Sequence, residues 1–239
     1  MITGIVIALP DEINSLTDKK ISKGSIVFIN RNTLVMCSGA GPENAATASK
    51  LLIDKGAEQL ISWGCAAALS PDLNPGDLVM PQQLLTESKE LISIASPWLN
   101  HVTEQLSSLC PITGLLAEST VIIAESSAKK LLNSQSKAIA LDMESIAIVQ
   151  TAKQHNLPAI VIRCIADPAG MSLPKSISHS LNRQGEVELL KLFRFLLTHP
   201  AELPGLIKLG LHFHAAKNKL KSAAKHLDII AGFKQQTAN

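Results

Sequence analysis

Aromatic side chains are scarce in this sequence: Phe, Trp and Tyr make up 3% of its 239 residues, and Tyr is absent. Before residue 190 the only ones are Phe28, Trp63 and Trp98. A core built by this chain must therefore be packed mainly from Leu, Ile, Val and Ala. Charged residues are also few, at 18% against 46% hydrophobic residues, which excludes a disordered chain, where that balance is inverted.

Cysteine is sparse as well, and its spacing excludes two common uses. Cys37, Cys65, Cys110 and Cys164 are far apart, form no Cys-x-x-Cys pair and stand mostly in apolar runs. A thiol in such a run behaves as a small hydrophobic group. We therefore predict neither a disulfide framework nor a metal site.

No long uninterrupted apolar segment is found near the start of the sequence. The first apolar run is broken at residues 10–12 (PDE), before a signal-sequence core or a membrane-spanning helix would be complete. Residues 1–4 carry no basic side chain. From these two features we expect a cytoplasmic protein.

Apolar runs with β-strand character alternate with helical patterns along the first two thirds of the chain. Helical periodicity is clearest in residues 42–55, after the turn glycines Gly39 and Gly41, and in residues 143–155, which end before Pro158. This alternation predicts an α/β fold of three αβα layers on a mixed, mostly parallel sheet. Strands are predicted near residues 3–9, 25–29, 33–38, 59–63, 77–81, 113–123, 137–141 and 159–166.

The composition changes near residue 190. Residues 190–239 contain 8 Lys and Arg against 2 Asp and Glu, a net charge of plus 6, together with four of the five Phe residues. Amphipathic runs such as residues 189–197 (LLKLFRFLL) are too interrupted to span a bilayer but could lie on a membrane surface. We predict a main domain over residues 1–198 and a basic helical extension over residues 199–239, which either packs on the core or contacts anionic lipid.

Acidic motifs follow three of the predicted strands. Glu12 lies in residues 9–12 (LPDE), Glu144 in residues 141–145 (LDMES) and Asp167 in residues 163–168 (RCIADP). Because ligands bind at the carboxyl ends of parallel strands, these carboxylates are candidates for acid-base chemistry on a bound ligand. Each also has a simpler explanation, since Asp-Pro often begins a turn and a carboxylate near a helix start favours the helix dipole.

Together with residues 38–46 (SGAGPENAA), 62–69 (SWGCAAAL) and 75–79 (PGDLV), these motifs resemble the nucleoside phosphorylase and nucleosidase family in order and spacing. The resemblance covers most of the first 170 residues and implies the nucleoside phosphorylase type of sheet. It implies that Met143 and Glu144 hold the ribose. It also implies that Asp167 protonates the leaving purine and that Glu12 orients the attacking water.

The same resemblance gives the remaining candidate binding residues. Ile122 stands where methylthioadenosine nucleosidases have a Phe beside the purine, and the backbone of Ile123 is expected to read the base. Cys65, followed by Ala66, stands where relatives often have Ser or Thr near the ribose or phosphate, and a thiol there is better explained as a space filler than as a nucleophile. Arg163 either pairs with a carboxylate of the site or caps a strand.

The choice between water and phosphate as nucleophile depends on positive charge. A phosphorylase must hold a phosphate dianion, usually with arginine as well as backbone amides, and Ser62 stands where phosphorylases of this family have one such Arg. Hydrolysis of the N-glycosidic bond with release of adenine is therefore favoured, and phosphorolysis is the alternative. A second alternative is a non-catalytic nucleoside- or lipid-binding protein, suggested by the alanines at 66–68 where the family has glycines.

Two departures from the family bear on the substrate and the partners. Residues 82–111 are shorter than the region that closes over the 5′ substituent in methylthioadenosine nucleosidases, and residues 198–204 (THPAELP) resemble the carboxyl extension of the hopanoid-associated branch. We expect a 5′-substituted adenosine, with adenosylhopane of hopanoid biosynthesis as the lipid-linked example, a homodimer, and peripheral contact with the inner face of the membrane. A dinucleotide cofactor is not predicted, since Asn44 replaces the third glycine of the dinucleotide-binding fingerprint. No other cofactor and no nucleic-acid partner is predicted.

Overall fold

A mixed 10-stranded sheet lies between helices on both of its faces in the computed structural model, which describes residues 1–180 and 189–233. This arrangement confirms the predicted α/β fold class. The strands are β1 (Thr3–Ile7), β2 (Ile26–Asn30), β3 (Thr33–Cys37), β4 (Gln59–Ala68), β5 (Leu78–Val79), β6 (Gln83–Leu85), β7 (Leu91–Ser93), β8 (Leu115–Glu118), β9 (Ala140–Asp142) and β10 (Ala159–Asp167). The helices are α1 (Pro10–Ile13), α2 (Pro42–Asp54), α3 (Pro97–Gln105), α4 (Ser126–Ser136), α5 (Ser145–Gln154), α6 (Lys175–Ser180), α7 (Leu189–Thr198), α8 (Leu203–Ala224) and α9 (Leu227–Gly232).

The order of the strands brings the ends of β1, β4, β9 and β10 together. The main path across the sheet is β2-β3-β1-β4-β9-β8-β6-β7, and β10 pairs with β4 and β5. β4 is parallel to both β1 and β10, so these three strands end at the same edge. β9 is antiparallel to the last two residues of β4, so Asp142 at the end of β9 lies beside the carboxyl end of β4.

Alternating apolar residues on the central strands supply both faces of the sheet. In β1, Ile5 and Ile7 belong to the core cluster that contains α3 and α8 residues, whereas Val6 packs with α2 and α5. A strand that is buried on both faces must be apolar throughout, and this explains the continuous hydrophobic runs read from the sequence. The two tryptophans are fully buried, and each indole N–H has a hydrogen-bond acceptor. Trp63 Nε1 donates to Ser15 Oγ, and Trp98 Nε1 donates to the carbonyl of Ile230.

Several predicted element boundaries differ from the structure. The strand predicted at 113–123 is reduced to β8, because Ser119 Oγ donates to the carbonyl of Val121 and turns the chain away from the sheet. The helix predicted from residue 143 begins at Ser145, since Asp142 accepts a hydrogen bond from the backbone N–H of Ser145. Helices α3 and α4 and the short strands β6 and β7 were not predicted from the hydrophobic pattern.

The helical extension packs one face of α8 and α9 on the main sheet. Ala216, Leu220 and Ala223 are fully buried against β10 and its neighbours, and Thr3 Oγ1 of β1 donates to the carbonyl of Ala231. The proposed division of the chain after residue 198 therefore separates elements that share one core, and it stays a prediction. Residues 181–188 and 234–239, the second of which belong to the predicted extension, lie outside the described residues.

The opposite face of the first half of α8 is apolar and exposed. Leu203, Ile207 and Leu211 recur every four residues and are 47%, 56% and 64% exposed. We call these three residues the outer stripe of α8. Among the residues that the structure describes, no helix is long and apolar enough to cross a membrane.

The two faces of α8 are expected to respond differently to truncation of a leucine. Leu220→Ala should lower the free energy of unfolding by about 2–5 kcal/mol, because it leaves a cavity between α8 and the sheet. Leu211→Ala, on the exposed face of the same helix, should change it by no more than about 0.5 kcal/mol. Urea denaturation of both variants measures the difference, and a loss for Leu220→Ala as small as that for Leu211→Ala would contradict this packing.

Candidate active site

The strand ends enclose one cavity of about 260 Å³ whose walls are mostly apolar. Eight of the nine predicted site residues line it: Glu12, Cys65, Ala66, Ile122, Ile123, Met143, Glu144 and Asp167. The ninth, Arg163, lies behind the wall, where it pairs with Glu144 and interacts electrostatically with Glu12. The structure thus brings together residues that are separated by up to 155 positions in sequence.

Arg163 of β10 is buried in a ring of acidic and hydroxyl groups. Its Nε lies 2.6 Å from Asp142 Oδ2 and its Nη2 lies 3.8 Å from Glu144 Oε2. Nη2 also donates to Ser62 Oγ at 2.7 Å, and Nε donates to Ser145 Oγ at 3.2 Å. This guanidinium is 1% exposed and is held by ion pairs and hydroxyl groups. Arg163 lies within β10 and does not cap a strand.

Glu12 reaches the cavity from the short helix α1. Its Oε1 accepts a hydrogen bond from the backbone N–H of Cys65 at 2.7 Å, and its Oε2 accepts one from Leu9 at 3.1 Å. A Cβ atom at Gly64 would lie 2.5 Å from Arg163 Nη1 and 2.8 Å from Glu12 Oε1, so glycine is needed for this approach. Burial raises the pKa of Glu12, and the positive charge of Arg163 opposes that rise.

Glu144 is fixed between the turn before α2 and Arg163. Its Oε1 accepts a hydrogen bond from the backbone N–H of Gly41 at 2.9 Å. Gly41 has a φ of 97°, a conformation that glycine adopts without strain. Burial raises the pKa of Glu144 to about 7; Arg163 opposes this rise and the nearby Asp142 adds to it.

Asp167 closes the opposite side of the cavity at the end of β10. Its Oδ1 lies 2.6 Å from Nζ of Lys129, a lysine of α4 that is fully buried. Burial raises the pKa of Asp167, while the ammonium of Lys129 and, to a smaller extent, His212 oppose the rise. A carboxyl group in such a setting can hold a proton and release it to a bound ligand.

Most of the remaining cavity wall is apolar. Ile122, Ile123 and Met143 line it together with Leu173 and with Phe213, which α8 contributes. The thiol of Cys65 lies among them, and burial, together with the charge of Glu12, raises the pKa of Cys65 well above its usual value. A thiol that stays protonated is a poor nucleophile, which agrees with its interpretation as a space filler.

Within residues 1–180 and 189–233, no group of three or more His, Cys, Asp and Glu side chains is arranged to hold a metal ion. The cavity wall itself contains no Lys or Arg among the described residues. Its titratable side chains are Glu12, Cys65, Asp142, Glu144 and Asp167. The site therefore offers carboxylates and backbone amides to a ligand, and its one nearby guanidinium is already engaged.

Sequence reasoning missed four contributors to this site. Asp142 precedes the Met-Glu pair and follows a strand directly, so its position at a strand end was a usable signal. Gly41 belongs to the motif at residues 38–46, but its contact with Glu144 was not predicted. Lys129 and Phe213 gave no local signal of a role in the site, because their relation to the carboxylates arises only from the packing of α4 and α8.

A protein-family model for the phosphorylase superfamily matches residues 3–188, which is most of the chain. The chain belongs to the phosphorylase superfamily. The predicted family and the predicted class of enzyme, a nucleosidase or nucleoside phosphorylase, are thereby confirmed.

The chain is also similar to individual proteins, at sequence identities of 26% and 18%. A 5′-methylthioadenosine/S-adenosylhomocysteine nucleosidase of Staphylococcus aureus is 26% identical over 196 residues, which cover 70% of this chain and 86% of that protein. The structure of futalosine hydrolase of Helicobacter pylori superposes with a TM-score of 0.69 at 18% identity, covering 96% of this chain and 97% of that one. A Campylobacter jejuni 5′-methylthioadenosine/S-adenosylhomocysteine nucleosidase superposes with a TM-score of 0.68, again at 18% identity, covering 96% and 98%. These two superpositions show that the chain has the same fold as both proteins.

The raised pKa of Glu144 should make the stability of this superfamily member depend on pH. A carboxyl group whose pKa rises from 4.5 to about 7 on folding binds more protons in the folded state, so its contribution is present below pH 4.5 and is lost as pH rises to 7. The free energy of unfolding should therefore fall between pH 5 and pH 8, with at most about 3 kcal/mol of the loss due to Glu144.

Urea denaturation at several pH values, with two substitutions, isolates this contribution. Glu144→Gln removes the titrating group and should flatten the pH dependence, whereas Glu43→Gln changes an exposed carboxylate of α2 and should leave it as in the wild type. The same slope in all three proteins would show that Glu144 is not the group that titrates.

Proposed function

We propose that this protein is a nucleosidase that hydrolyses the N-glycosidic bond of a 5′-substituted adenosine and releases adenine. The observation that carries the proposal is the convergence of Glu12, Glu144 and Asp167 on one mostly apolar cavity. Cleavage of this bond needs a proton for the departing base, relief of positive charge on the ribosyl centre and a nucleophile on the opposite face. Three carboxylates with different surroundings can meet these three needs.

Asp167 is the proposed general acid. Its burial raises its pKa, so it can hold the proton that it transfers to N7 of the purine as the bond between C1′ and N9 breaks. The electron pair of that bond then goes to the base. The charge left on Asp167 is offset by Lys129 at 2.6 Å.

Glu144, together with Met143, is proposed to hold the ribose. The carboxylate of Glu144 can accept hydrogen bonds from the ribose hydroxyls and offset the positive charge that develops at C1′. Glu12 is proposed to accept a proton from the attacking water. Two backbone N–H groups already fix the carboxylate of Glu12, so little entropy is lost in orienting it for the reaction.

Water rather than phosphate is the proposed nucleophile because of the charges around Arg163. A phosphate dianion needs free cationic or amide donors. Arg163 is paired with Asp142, lies near Glu144 and Glu12, and donates to Ser62. A dianion in this cavity would meet several carboxylates and no Lys or Arg on the described cavity wall, which disfavours the phosphorylase alternative.

The 5′ side supports an apolar substituent. Ile122 is proposed to lie beside the base, where it stacks less strongly than an aromatic ring, and Ile123 to contact the base through its backbone. Val121, beside it on the cavity wall, is 64% exposed, and Leu173 adjoins Pro174, which packs on Gly205 of α8. An apolar cavity rim of this kind fits a lipid-linked nucleoside such as adenosylhopane, and thus a role in hopanoid biosynthesis.

A non-catalytic nucleoside- or lipid-binding protein is the competing function from another class. The alanines of β4, including Ala66 at the cavity wall, are the feature that favours it. Against it stands the cost of keeping three carboxylates buried at one site, each of which loses hydration. A protein that only binds an apolar ligand has no need of that cost.

A product assay with and without phosphate tests the proposed reaction. The protein should release adenine from short, soluble 5′-substituted adenosines at the same rate in both buffers, and the sugar product should be the free sugar. The physical reason is that the described cavity wall holds carboxylates and no cation. Formation of a sugar 1-phosphate, or a requirement for phosphate, would overturn the hydrolase proposal.

The control for this assay is the loss of the proposed acid. Asp167→Asn should lower the rate of adenine release by roughly 10²- to 10⁴-fold, as is typical when general acid catalysis is removed, while the fold is retained. Binding of a nucleoside without any release of base, by the wild type, would favour the non-catalytic function.

The outer stripe of α8 is proposed to contact anionic lipid. Leu211→Ser should weaken binding to phosphatidylglycerol-containing vesicles by about 10-fold or more, because burial of a Leu contributes about 1.5–3 kcal/mol. Raised salt should weaken binding further, since each Lys or Arg near the surface contributes about 1 kcal/mol. Leu51→Ser, at an exposed leucine of α2, is the matched control. Equal vesicle binding by all three proteins would favour an extension that serves only to pack on the core.

A further inference from the structure

Lys129 is a fully buried lysine that sits beside the proposed acid but does not line the cavity. Its Nζ contacts three oxygens: Asp167 Oδ1 at 2.6 Å, the carbonyl of Met171 at 2.9 Å and the carbonyl of Pro168 at 3.3 Å. An ammonium group has three N–H donors, so these contacts use all of them. Lys129 is therefore directed at Asp167 and its loop and has no donor left for a substrate.

The loop after β10 is built around this ammonium. Residues 167–171 supply all three oxygens, and the backbone N–H of Leu173 donates to the carbonyl of Ala124, just before α4. Ser172 Oγ accepts a hydrogen bond from the backbone N–H of Ser126 at the start of α4. The lysine thus joins α4 to the segment that carries both Asp167 and the cavity residue Leu173.

The two oxygens of the Asp167 carboxyl group have different surroundings. Oδ1 is shielded from solvent and lies against Lys129. Asp167 lines the cavity, and the 14% of its side chain that is exposed does not include Oδ1. Oδ2 is consequently the oxygen that a ligand in the cavity can reach.

We propose that Lys129 is a positioning residue for Asp167: it fixes Oδ1, leaves Oδ2 to deliver the proton to the leaving base, and offsets the charge that the carboxylate acquires. This inference rests on the proposed hydrolytic function. In the step itself, the Oδ2–H bond breaks as the N7–H bond forms, and the C1′–N9 electron pair moves to the base. Water adds to C1′ and gives its proton to Glu12, so no other reactant is needed.

The charges around Asp167 determine how a change at Lys129 is read out. Burial raises the pKa of Asp167, whereas Lys129 on α4 lowers it, as does His212 on α8 when it is protonated. The other titratable side chains of the described cavity wall are Glu12, Cys65, Asp142 and Glu144. Removal of the ammonium should leave burial dominant, so that Asp167 keeps its proton to higher pH and gives it up less readily.

Lys129→Met should therefore lower kcat on the order of 10²-fold and move the alkaline limb of the pH-rate profile to higher pH, with a smaller change in KM. Lys129→Arg, which keeps the positive charge, should restore the position of that limb. Lys130→Met, at the exposed neighbouring lysine, is the matched control and should behave as the wild type. An unmoved alkaline limb in a folded Lys129→Met variant would overturn the proposal.

A double-mutant cycle separates this role from a purely structural one. In the Asp167→Asn background, Lys129→Met should reduce kcat by less than about 3-fold, because the group through which it acts is already gone. A loss as large as in the wild-type background would mean that Lys129 only holds the loop together, and the positioning role would be wrong.

A measurement without turnover keeps the proposal distinct from the proposed function. The carbon-13 NMR resonance of the Asp167 carboxyl, assigned by its loss in Asp167→Asn, should titrate at higher pH in Lys129→Met than in the wild type. If the wild type releases base from no nucleoside but this shift is seen, the hydrolase proposal fails and the coupling of Lys129 to Asp167 stands. An unchanged titration overturns the coupling whatever the activity.

Discussion

Arg163 beneath the cavity is the charge on which the arrangement of the site depends. It is buried in the central strand β10 and is surrounded by Asp142 and Glu144 from the β9–α5 segment and by Glu12 from α1. Burial of a charge is tolerable only when it is paired and hydrogen-bonded, so each element that brings a carboxylate must keep its position relative to β10. The hydroxyls of Ser62 and Ser145 complete the contacts of the guanidinium and tie β4 and α5 to the same point. The need to pair Arg163 therefore fixes both the arrangement of the strands at this edge of the sheet and the orientation of the carboxylates.

The balance of charge at this point also determines which chemistry the site can support. A single guanidinium faces several carboxylates, so the described part of the cavity presents negative charge to its contents. Such a cavity favours a ligand that becomes positive at its reacting centre and disfavours a dianionic co-substrate. Burial keeps the pKa of Glu144 near 7 rather than at its usual value, which limits the repulsion between neighbouring acids when the cavity is empty. The same carboxylates can then become fully charged when hydroxyls or a developing cation enter.

The sequence was sufficient for the fold class and for the three carboxylates, because both are encoded locally. Apolar runs report strands that are buried on both faces, and acids directly after such runs report strand ends. Lys129 could not be found in this way: it lies 38 positions from Asp167 in an amphipathic helix that the pattern did not reveal, and lysines on helices are usually solvated. The strand predicted at 113–123 was too long for a related reason, since a side-chain hydrogen bond of Ser119, rather than a change in hydrophobicity, ends the strand. The local sequence pattern thus predicts which residues lie at strand ends. The residues that they contact depend on the pairing of the strands and on the packing of helices that are distant in sequence.

Helix α8 joins the stability of the core to the properties of the cavity. Its inner face places Ala216 and Leu220 in the same apolar cluster as β1, β4 and β10, and one turn before Ala216 the same face gives Phe213 to the cavity wall. The buried residues of the second half of α8 fix the helix on the sheet, so its first half is held beside the cavity. The position of that first half is therefore not set by its own packing against the core. The three residues of the outer stripe are exposed in the part of the chain that the structure describes. Polar side chains at these positions would not destabilise the core. Packing on the sheet therefore accounts for the inner face of α8, whereas the outer stripe has no role in that packing, and the proposed contact with lipid would give it one.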